Sequence, residues 1–254
     1  MIGIFDSGVG GLSVLREIRK VLPEQSYIYY SDNAHCPYGE KSREYIIERA
    51  REITKFLIEK GCEIIVVACN TATAAAIRTL REEFPIKFIG MEPAIKPAVQ
   101  STHTGVVGVL ATAGTLKATK YLDTREKWAQ DVKIVEHIGQ GFVELVESGN
   151  INGPIAEKAV SVSLMPLLEA GADTIVLGCT HYPFLISTIN KIAHEAFPDR
   201  DISVIDPAPA VARHLLDVMQ HEGITKVSPS GYKIELHSSG APEGLLRTFN
   251  SLVQ

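Results

Sequence analysis

The apolar positions are most telling in two short runs, Ile64-Ile65-Val66-Val67 and Thr174-Ile175-Val176-Leu177. Both are rich in β-branched residues and neither alternates with polar positions. A run of this kind is expected to form a strand buried on both faces of a parallel sheet. Each passes through one small residue, Ala68 or Gly178, into a cysteine followed by small or polar residues: Cys69-Asn70-Thr71 and Cys179-Thr180-His181. The cysteines therefore stand at the carboxyl ends of their strands, where open α/β sheets bind ligands.

The rest of the chain follows the same grammar. Residues 2–5 form an apolar strand that ends in Asp6-Ser7-Gly8-Val9-Gly10-Gly11, and Leu12, Leu15, Ile18 and Leu22 then recur at helical spacing. A strand is expected at 26–30, followed by a loop rich in turn-formers from Ser31 to Gly39. Within it, Tyr38 between Pro37 and Gly39 is held on a rigid, exposed segment, where a tyrosine serves either as a loop plug or as a ligand contact. A helix spans about 42–60, with Ile46, Ala50, Ile53 and Leu57 on one face. The first cysteine strand is followed by an alanine-rich helix from Thr73 to about Glu83, a strand at 86–89, and a crossing at Gly90-Met91-Glu92-Pro93.

The pattern then restarts. A strand at 106–110 ends in Ala111-Thr112-Ala113-Gly114-Thr115. A helix to about Lys127, a strand at 132–136, a polar helix carrying Glu144 and Glu147, and a helix at about 154–170 lead to the second cysteine strand. Its helix covers about 183–196, and a strand at 202–205 ends at Asp206-Pro207. Asp6 precedes Cys69 by 63 positions and Thr112 precedes Cys179 by 67. This repetition of pattern implies an α/β fold of two similar domains facing each other, with mainly parallel sheets flanked by helices. The first domain is expected to take residues 1–95 and 208–254, the second 96–207. The tail adds a helix at 208–221, a strand from Tyr232 to Leu236, the loop His237-Ser238-Ser239-Gly240 and a last helix, long enough to return to the first sheet.

Composition narrows the function. An apolar fraction of 45% and a charged fraction of 22% are those of an ordinary soluble protein. A net charge of −5 supplies no basic patch for nucleic acid. The start of the chain lacks the basic and apolar regions of a signal peptide, and no apolar run approaches the ~20 residues that span a bilayer, so a cytoplasmic location is expected, with no membrane partner. The four cysteines, Cys36, Cys62, Cys69 and Cys179, contain no CxxC pair, which removes zinc-ribbon and thioredoxin motifs. The glycine loop after Asp6 is not a dinucleotide fingerprint, because GxGxxG would need glycine where Ser13 stands, and no Gly-Lys-Ser/Thr of a phosphate-binding loop follows.

One thiol opposite another suits a reaction that removes a proton from one face of a carbon and returns one to the other, a racemisation or epimerisation. A free thiol with a pKa of about 8.5 needs help to ionise at neutral pH. Asp6, at a strand end near Cys69, and His181 and Glu147, near Cys179, are candidates for that help. Asn70, Thr71, Thr112, Thr115 and Thr180 offer donors for the charge that develops on the substrate. Taken one at a time, each cysteine reads equally well as a small packing residue, and His181 as a cap of the following helix.

The stretches Phe5-Asp6-Ser7-Gly8-Val9-Gly10-Gly11, Pro37-Tyr38-Gly39, Ala68-Cys69-Asn70-Thr71-Ala72 and Gly178-Cys179-Thr180-His181-Tyr182-Pro183 resemble those of glutamate racemase, the cofactor-independent enzyme that makes D-glutamate for bacterial peptidoglycan. The likeness runs in order over about residues 2–207. It implies a site in the cleft between two α/β domains, with neither pyridoxal phosphate nor metal. It implies that Cys69 takes the proton from D-glutamate and Cys179 from L-glutamate, supported by Asp6, Glu147 and His181. Ser7, Tyr38, Gly39, Asn70, Thr71, Thr180 and His181 match substrate contacts, with Thr112 and Thr115 around the carboxylates, and Asp6 beside them. The partner implied is glutamate, with a cell-wall precursor as a regulator in some members, and a homodimer or monomer. The chain departs from the usual pattern at Ser31, where glycine is commoner, and at His35-Cys36, where Arg-Val is common. Two alternatives stay open at this point: a racemase for aspartate or another acidic amino acid, and a non-catalytic ligand-binding or redox-sensing protein.

Overall fold

The computed structural model describes residues 1–92, 94–224 and 233–253. Among them are nine strands: β1 (Ile2–Asp6), β2 (Tyr27–Ser31), β3 (Ile64–Val67), β4 (Lys87–Gly90), β5 (Val106–Ala111), β6 (Lys133–Ile138), β7 (Thr174–Gly178), β8 (Ser203–Ile205) and β9 (Ile234–Ser238). The helices in the first half are α1 (Leu12–Val21), α2 (Arg43–Glu59), α3 (Asn70–Glu83), α4 (Ile95–Ser101), α5 (Ala113–Leu116) and α6 (Thr119–Trp128). The second half has α7 (Phe142–Ser148), α8 (Pro154–Glu169), α9 (Ile186–Ala196), α10 (Ala208–His221) and α11 (Glu243–Val253). The chain divides into two compact units, Met1–Glu92 with Ala208–Gln254, and Pro93–Pro207.

Each unit is an α/β layer structure around one parallel sheet. The first sheet runs β4-β3-β1-β2-β9 and the second β6-β5-β7-β8, with every strand pair parallel. Read from its other edge, the second sheet is β8-β7-β5-β6, which is the order β4-β3-β1-β2 with four added to each number. The two halves thus repeat the same topology, and the cysteine strands β3 and β7 hold the same place in it. β1, β3 and β7 are buried along their whole length, as unalternating apolar runs require. The tail returns to the first unit, where β9 pairs with β2 in register Tyr27↔Ile234 to Ser31↔Ser238. The strand expected there begins at Tyr232, which lies outside the described residues, as does Pro93 of the expected crossing.

Several boundaries differ from the sequence expectation, each for a local reason. The helix after Cys69 starts at Asn70, not Thr73, because Cys69 itself is the N-cap. Residues 95–101 form a short helix whose fully buried residues are Ile95 and Ala98 alone, too brief for periodicity to reveal. The helix expected up to Lys127 is two, α5 and α6, separated at Lys117 and Ala118. Tyr182–Leu185 is a tight 3₁₀ turn ahead of α9. No helix among the described residues is long and apolar enough to cross a membrane.

A buried carboxylate closes the entry to the second sheet. Asp173, just before β7, accepts the N–H groups of His103 and Thr104 at 2.7 and 2.8 Å and the hydroxyl of Thr102 at 2.5 Å. Burial alone would raise its pKa, but the Thr102 hydroxyl and the two backbone donors outweigh it and hold the carboxyl below its ordinary value. A depressed folded value means that this stabilisation is complete above the unfolded carboxyl pKa of about 3.9 and is lost as pH falls through the folded value. Asp173→Asn, which aims an NH₂ at N–H donors, is expected to destabilise the fold by about 1–3 kcal/mol at neutral pH. Urea melts of both proteins should show the difference shrinking as the pH is lowered below about 4; a difference independent of pH would count against the charge as its cause.

Candidate active site

In the first unit, β1 ends at Asp6, which is fully buried. Its Oδ2 accepts the N–H groups of Gly8 and Gly11 at 3.2 and 3.0 Å, so the carboxylate ties down the glycine loop. Gly11 has no room for a side chain: a Cβ there would stand 2.7 Å from Asp6 Cβ and 3.1 Å from Ala68 Cβ. Because β1 pairs with β3 and Phe5 lies opposite Val67, the residues that follow, Ser7 and Cys69, emerge side by side. The Cys69 thiol donates to Ser7 Oγ at 3.8 Å. Cys69 Sγ in turn accepts the N–H of Ala72 at 3.4 Å as the cap of α3. An amide donor at a helix N-terminus favours thiolate over thiol. Asn70 and Thr71 occupy the first turn of that helix and both are buried. Asn70 Oδ1 is a buried acceptor with no partner among the described residues, the kind of atom a bound ligand's donor would satisfy.

The segment expected to be exposed turns Tyr38 inward, as the loop-plug alternative requires. Its ring is 1% exposed, packed in the same core cluster as Phe5, Val67 and Cys69. Its hydroxyl donates to Asp32 Oδ2 at 2.5 Å. Burial, and then the Asp32 charge, push the phenol far above its ordinary range, so it remains a neutral donor. Gly39 follows it, half-buried, in the turn Tyr38–Glu40. Asp32 itself carried no assignment in the sequence. It is fully buried and takes a two-pronged contact from Arg49, Nε to Oδ2 at 2.9 Å and Nη2 to Oδ1 at 2.8 Å. The sequence signal for this pair is only an acid directly after a buried strand, with an arginine on the next helix.

In the second unit, Ala111 lies opposite Gly178 at the ends of β5 and β7, so Thr112 and Cys179 emerge together as Ser7 and Cys69 do. Gly178 permits this approach, since a Cβ would stand 2.7 Å from Ala111 Cβ. Thr112 caps α5, its Oγ1 accepting Thr115 N–H at 3.3 Å and lying 3.0 Å from the Thr115 hydroxyl. Cys179 Sγ lies 3.8 Å from His181 Nδ1, and His181 Nε2 lies 2.7 Å from Glu147 Oε1 on α7. The carboxylate can only accept, so Nε2 carries the hydrogen in neutral histidine and Nδ1 presents its lone pair to the thiol. His181 is 1% exposed and Thr180 3%. The histidine makes no side-chain cap to the turn that follows it, contrary to the capping alternative. Tyr182 next to it is buried and held neutral, by burial first and the nearby Cys179 second.

The remaining cysteines differ from these two. Cys62 is buried under Gly3, and burial pushes its thiol up to about 11, as suits a packing residue. Cys36 is half-buried in the loop before cis-Pro37.

Two thiols at matching places in two repeated parallel sheets, each beside a hydroxyl-bearing residue, define a class of protein. Residues 8–215 match the family model described as Asp/Glu/Hydantoin racemase, and the chain belongs to that family of isomerases. It is 50% identical to the glutamate racemase of Ectopseudomonas mendocina (strain ymp), over 87% of this chain and 83% of that one. Escherichia coli glutamate racemase, solved with L-glutamate and the activator UDP-MurNAc-ala, superposes with a TM-score of 0.87 at 35% identity, over 99% of this chain and 94% of that one. Glutamate racemase from Francisella tularensis subsp. tularensis SCHU S4, solved with D-glutamate, gives 0.84 at 29% identity, over 100% and 93%.

Proposed function

We propose that this protein interconverts L- and D-glutamate by a two-thiol proton transfer, supplying D-glutamate for peptidoglycan. The observation that carries the reading is the repeat itself. A cysteine follows the equivalent strand of each sheet, and each thiol has its own polar partners in its own unit. In the L-to-D direction, the Cys179 thiolate takes the Cα proton, leaving a carbanion whose charge spreads into the α-carboxylate. The Cys69 thiol then delivers its proton to the opposite face and becomes the thiolate. The reverse reaction exchanges these roles. His181, oriented by Glu147, receives the Cys179 proton that must leave before each L-to-D turnover. The Ala72 N–H and the Ser7 hydroxyl stabilise the anion at Cys69. Hydroxyls and amides at Asn70, Thr71, Thr112, Thr115 and Thr180 supply donors for the carboxylates and the developing charge. Tyr38 and Gly39 contribute a wall of the substrate site.

Both thiols must stay reduced, which the cytoplasm provides. The activator named for the Escherichia coli relative supports testing the same cell-wall precursor on this chain.

The test is proton exchange in D₂O with L- or D-glutamate and no added cofactor, followed by NMR and chiral analysis. Deuterium at Cα together with inversion is the expected result. Exchange with aspartate but not glutamate would keep the chemistry and change the substrate. No exchange with either would sink the reading in favour of a binding protein.

A further inference from the structure

We propose that Arg49 is a positioning residue for the substrate loop: it acts through Asp32 to hold Tyr38 and Gly39 in place, with the turn at 238–241 as the opposing jaw of the clamp. The inference rests on the racemase reading above and adds residues that neither the thiols nor their partners involve.

The loop between β2 and α2 is exposed only in part. Asp32, its first residue, is fully buried, and its N–H donates to Asp6 O at 2.9 Å, which ties it to the end of β1. A buried carboxylate persists only when its lone pairs are matched by donors. Here the donors come from three directions. Arg49 on α2 grips both oxygens in the fork geometry that only a guanidinium offers. The Tyr38 hydroxyl takes one oxygen at 2.5 Å, and Ser239 contributes a further bond. His35 Nε2 stands 4.0 Å from Oδ1.

Asn33 completes the clamp. Its Nδ2 donates to Ala241 O at 2.7 Å, and its Oδ1 accepts the Ser238 hydroxyl at 2.7 Å and Gly240 N–H at 2.9 Å. Ala34 N–H donates to Ser239 Oγ at 3.1 Å. This gives the tail loop His237-Ser238-Ser239-Gly240 a purpose. The tail is threaded back beside β2, so its end closes over the loop that carries Tyr38.

Since the Tyr38 ring is buried and its hydroxyl is committed to Asp32, what the loop offers a substrate is the backbone of 38–39, whose position depends on the Asp32–Arg49 pair. The thiols are held by other elements, α3 and β7. Loss of the pair is therefore expected to weaken substrate binding far more than proton transfer.

Racemisation by the wild-type full chain is measured first; its absence would remove the racemase reading itself, not the clamp alone. Given turnover, Arg49→Met should raise KM for glutamate by about tenfold, the loss of about 1.4 kcal/mol of binding, with a smaller change in kcat. Asp32→Asn combined with Arg49→Met should raise KM no further than Arg49→Met alone, because both act through one pair. The double variant also leaves no unpaired buried charge, so it carries the test if Arg49→Met does not fold. Tyr38→Phe, which removes one hydroxyl and leaves the ion pair, should raise KM in the same sense. A folded Arg49→Met or double variant with the wild-type KM, or a Tyr38→Phe protein with the wild-type KM, would overturn the inference.

Discussion

Replacing either thiol by a hydroxyl, as Cys69→Ser or Cys179→Ser, is expected to lower kcat for racemisation by about 10²–10⁴-fold, the range over which a positioned acid or base contributes. The substitution is small, but a serine hydroxyl is too weak an acid to give up its proton at neutral pH, so the base on that face is lost. At position 69 the fold has reason to tolerate it. Cys69 caps α3 through Sγ and Ala72 N–H, and serine is among the preferred N-cap residues. A fall in activity with an unchanged melting temperature would thus report on chemistry. The double variant should fall little below the single ones, since two groups that act as one unit do not lose their effects additively. The surviving thiol leaves a signature: Cys179→Ser should slowly exchange the Cα proton of D-glutamate without inverting it, and Cys69→Ser that of L-glutamate. A single variant with wild-type kcat would end the two-thiol mechanism.

The sequence revealed the frame of this molecule more readily than its side-chain pairings. Unalternating runs such as Ile64–Val67 and Thr174–Leu177 mark fully buried parallel strands, because both faces of such a strand need apolar cover. The repeat was visible as similar spacing before Cys69 and Cys179, and the matching strand orders of the two sheets give that spacing a structural meaning. Short helices leave no mark on the hydrophobic pattern. Ile95–Ser101 buries two residues, and Ala113–Leu116 is a single turn, so neither offers enough length for a period to register. Cysteine is also an uncommon cap, so the sequence pattern places the start of α3 three residues late. Pairings across the fold were out of reach for another reason. Asp32 and Arg49 are separated by a loop and most of two helical turns, and only the path from β2 into α2 brings the guanidinium over the carboxylate. Proline and glycine around Tyr38 mark an exposed segment but leave open whether the ring plugs it; the ring is buried with its hydroxyl on Asp32. Turn-formers report backbone shape and are silent on where a side chain points. At Cys179 the residue types suggested an acid–base group, while the distance from His181 to Glu147 across 34 positions came only from the packing of α7 against the turn that follows His181.

His181→Asn is expected to lower kcat/KM by about 10²-fold, and the form of the loss is more informative than its size. The equilibrium constant between enantiomers is unity, so kcat/KM must fall by the same factor from L- and D-glutamate, whatever step is impaired. Asymmetry has to be sought elsewhere. His181 faces Cys179 through Nδ1 at 3.8 Å and is fixed by Glu147 at 2.7 Å; the Ser7 and Ala72 contacts of Cys69 belong to other elements. The substitution therefore raises the barrier for proton transfer at Cys179 and leaves that at Cys69 as it was. Starting from L-glutamate deuterated at Cα, the Cys179 step becomes more fully rate-limiting and the isotope effect on kcat/KM should rise. From deuterated D-glutamate, the Cys69 step becomes a reversible prelude and the isotope effect should fall. In D₂O, label should enter D-glutamate faster than inversion occurs, because the carbanion returns through Cys69 before Cys179 can complete the crossing. Glu147→Gln should shift the same observables in the same sense by a smaller amount, since the amide accepts a hydrogen bond from Nε2 but supplies no charge to stabilise the imidazolium. Isotope effects that move together from both enantiomers would mean that His181 serves both thiols or only the fold, and would break its assignment to Cys179.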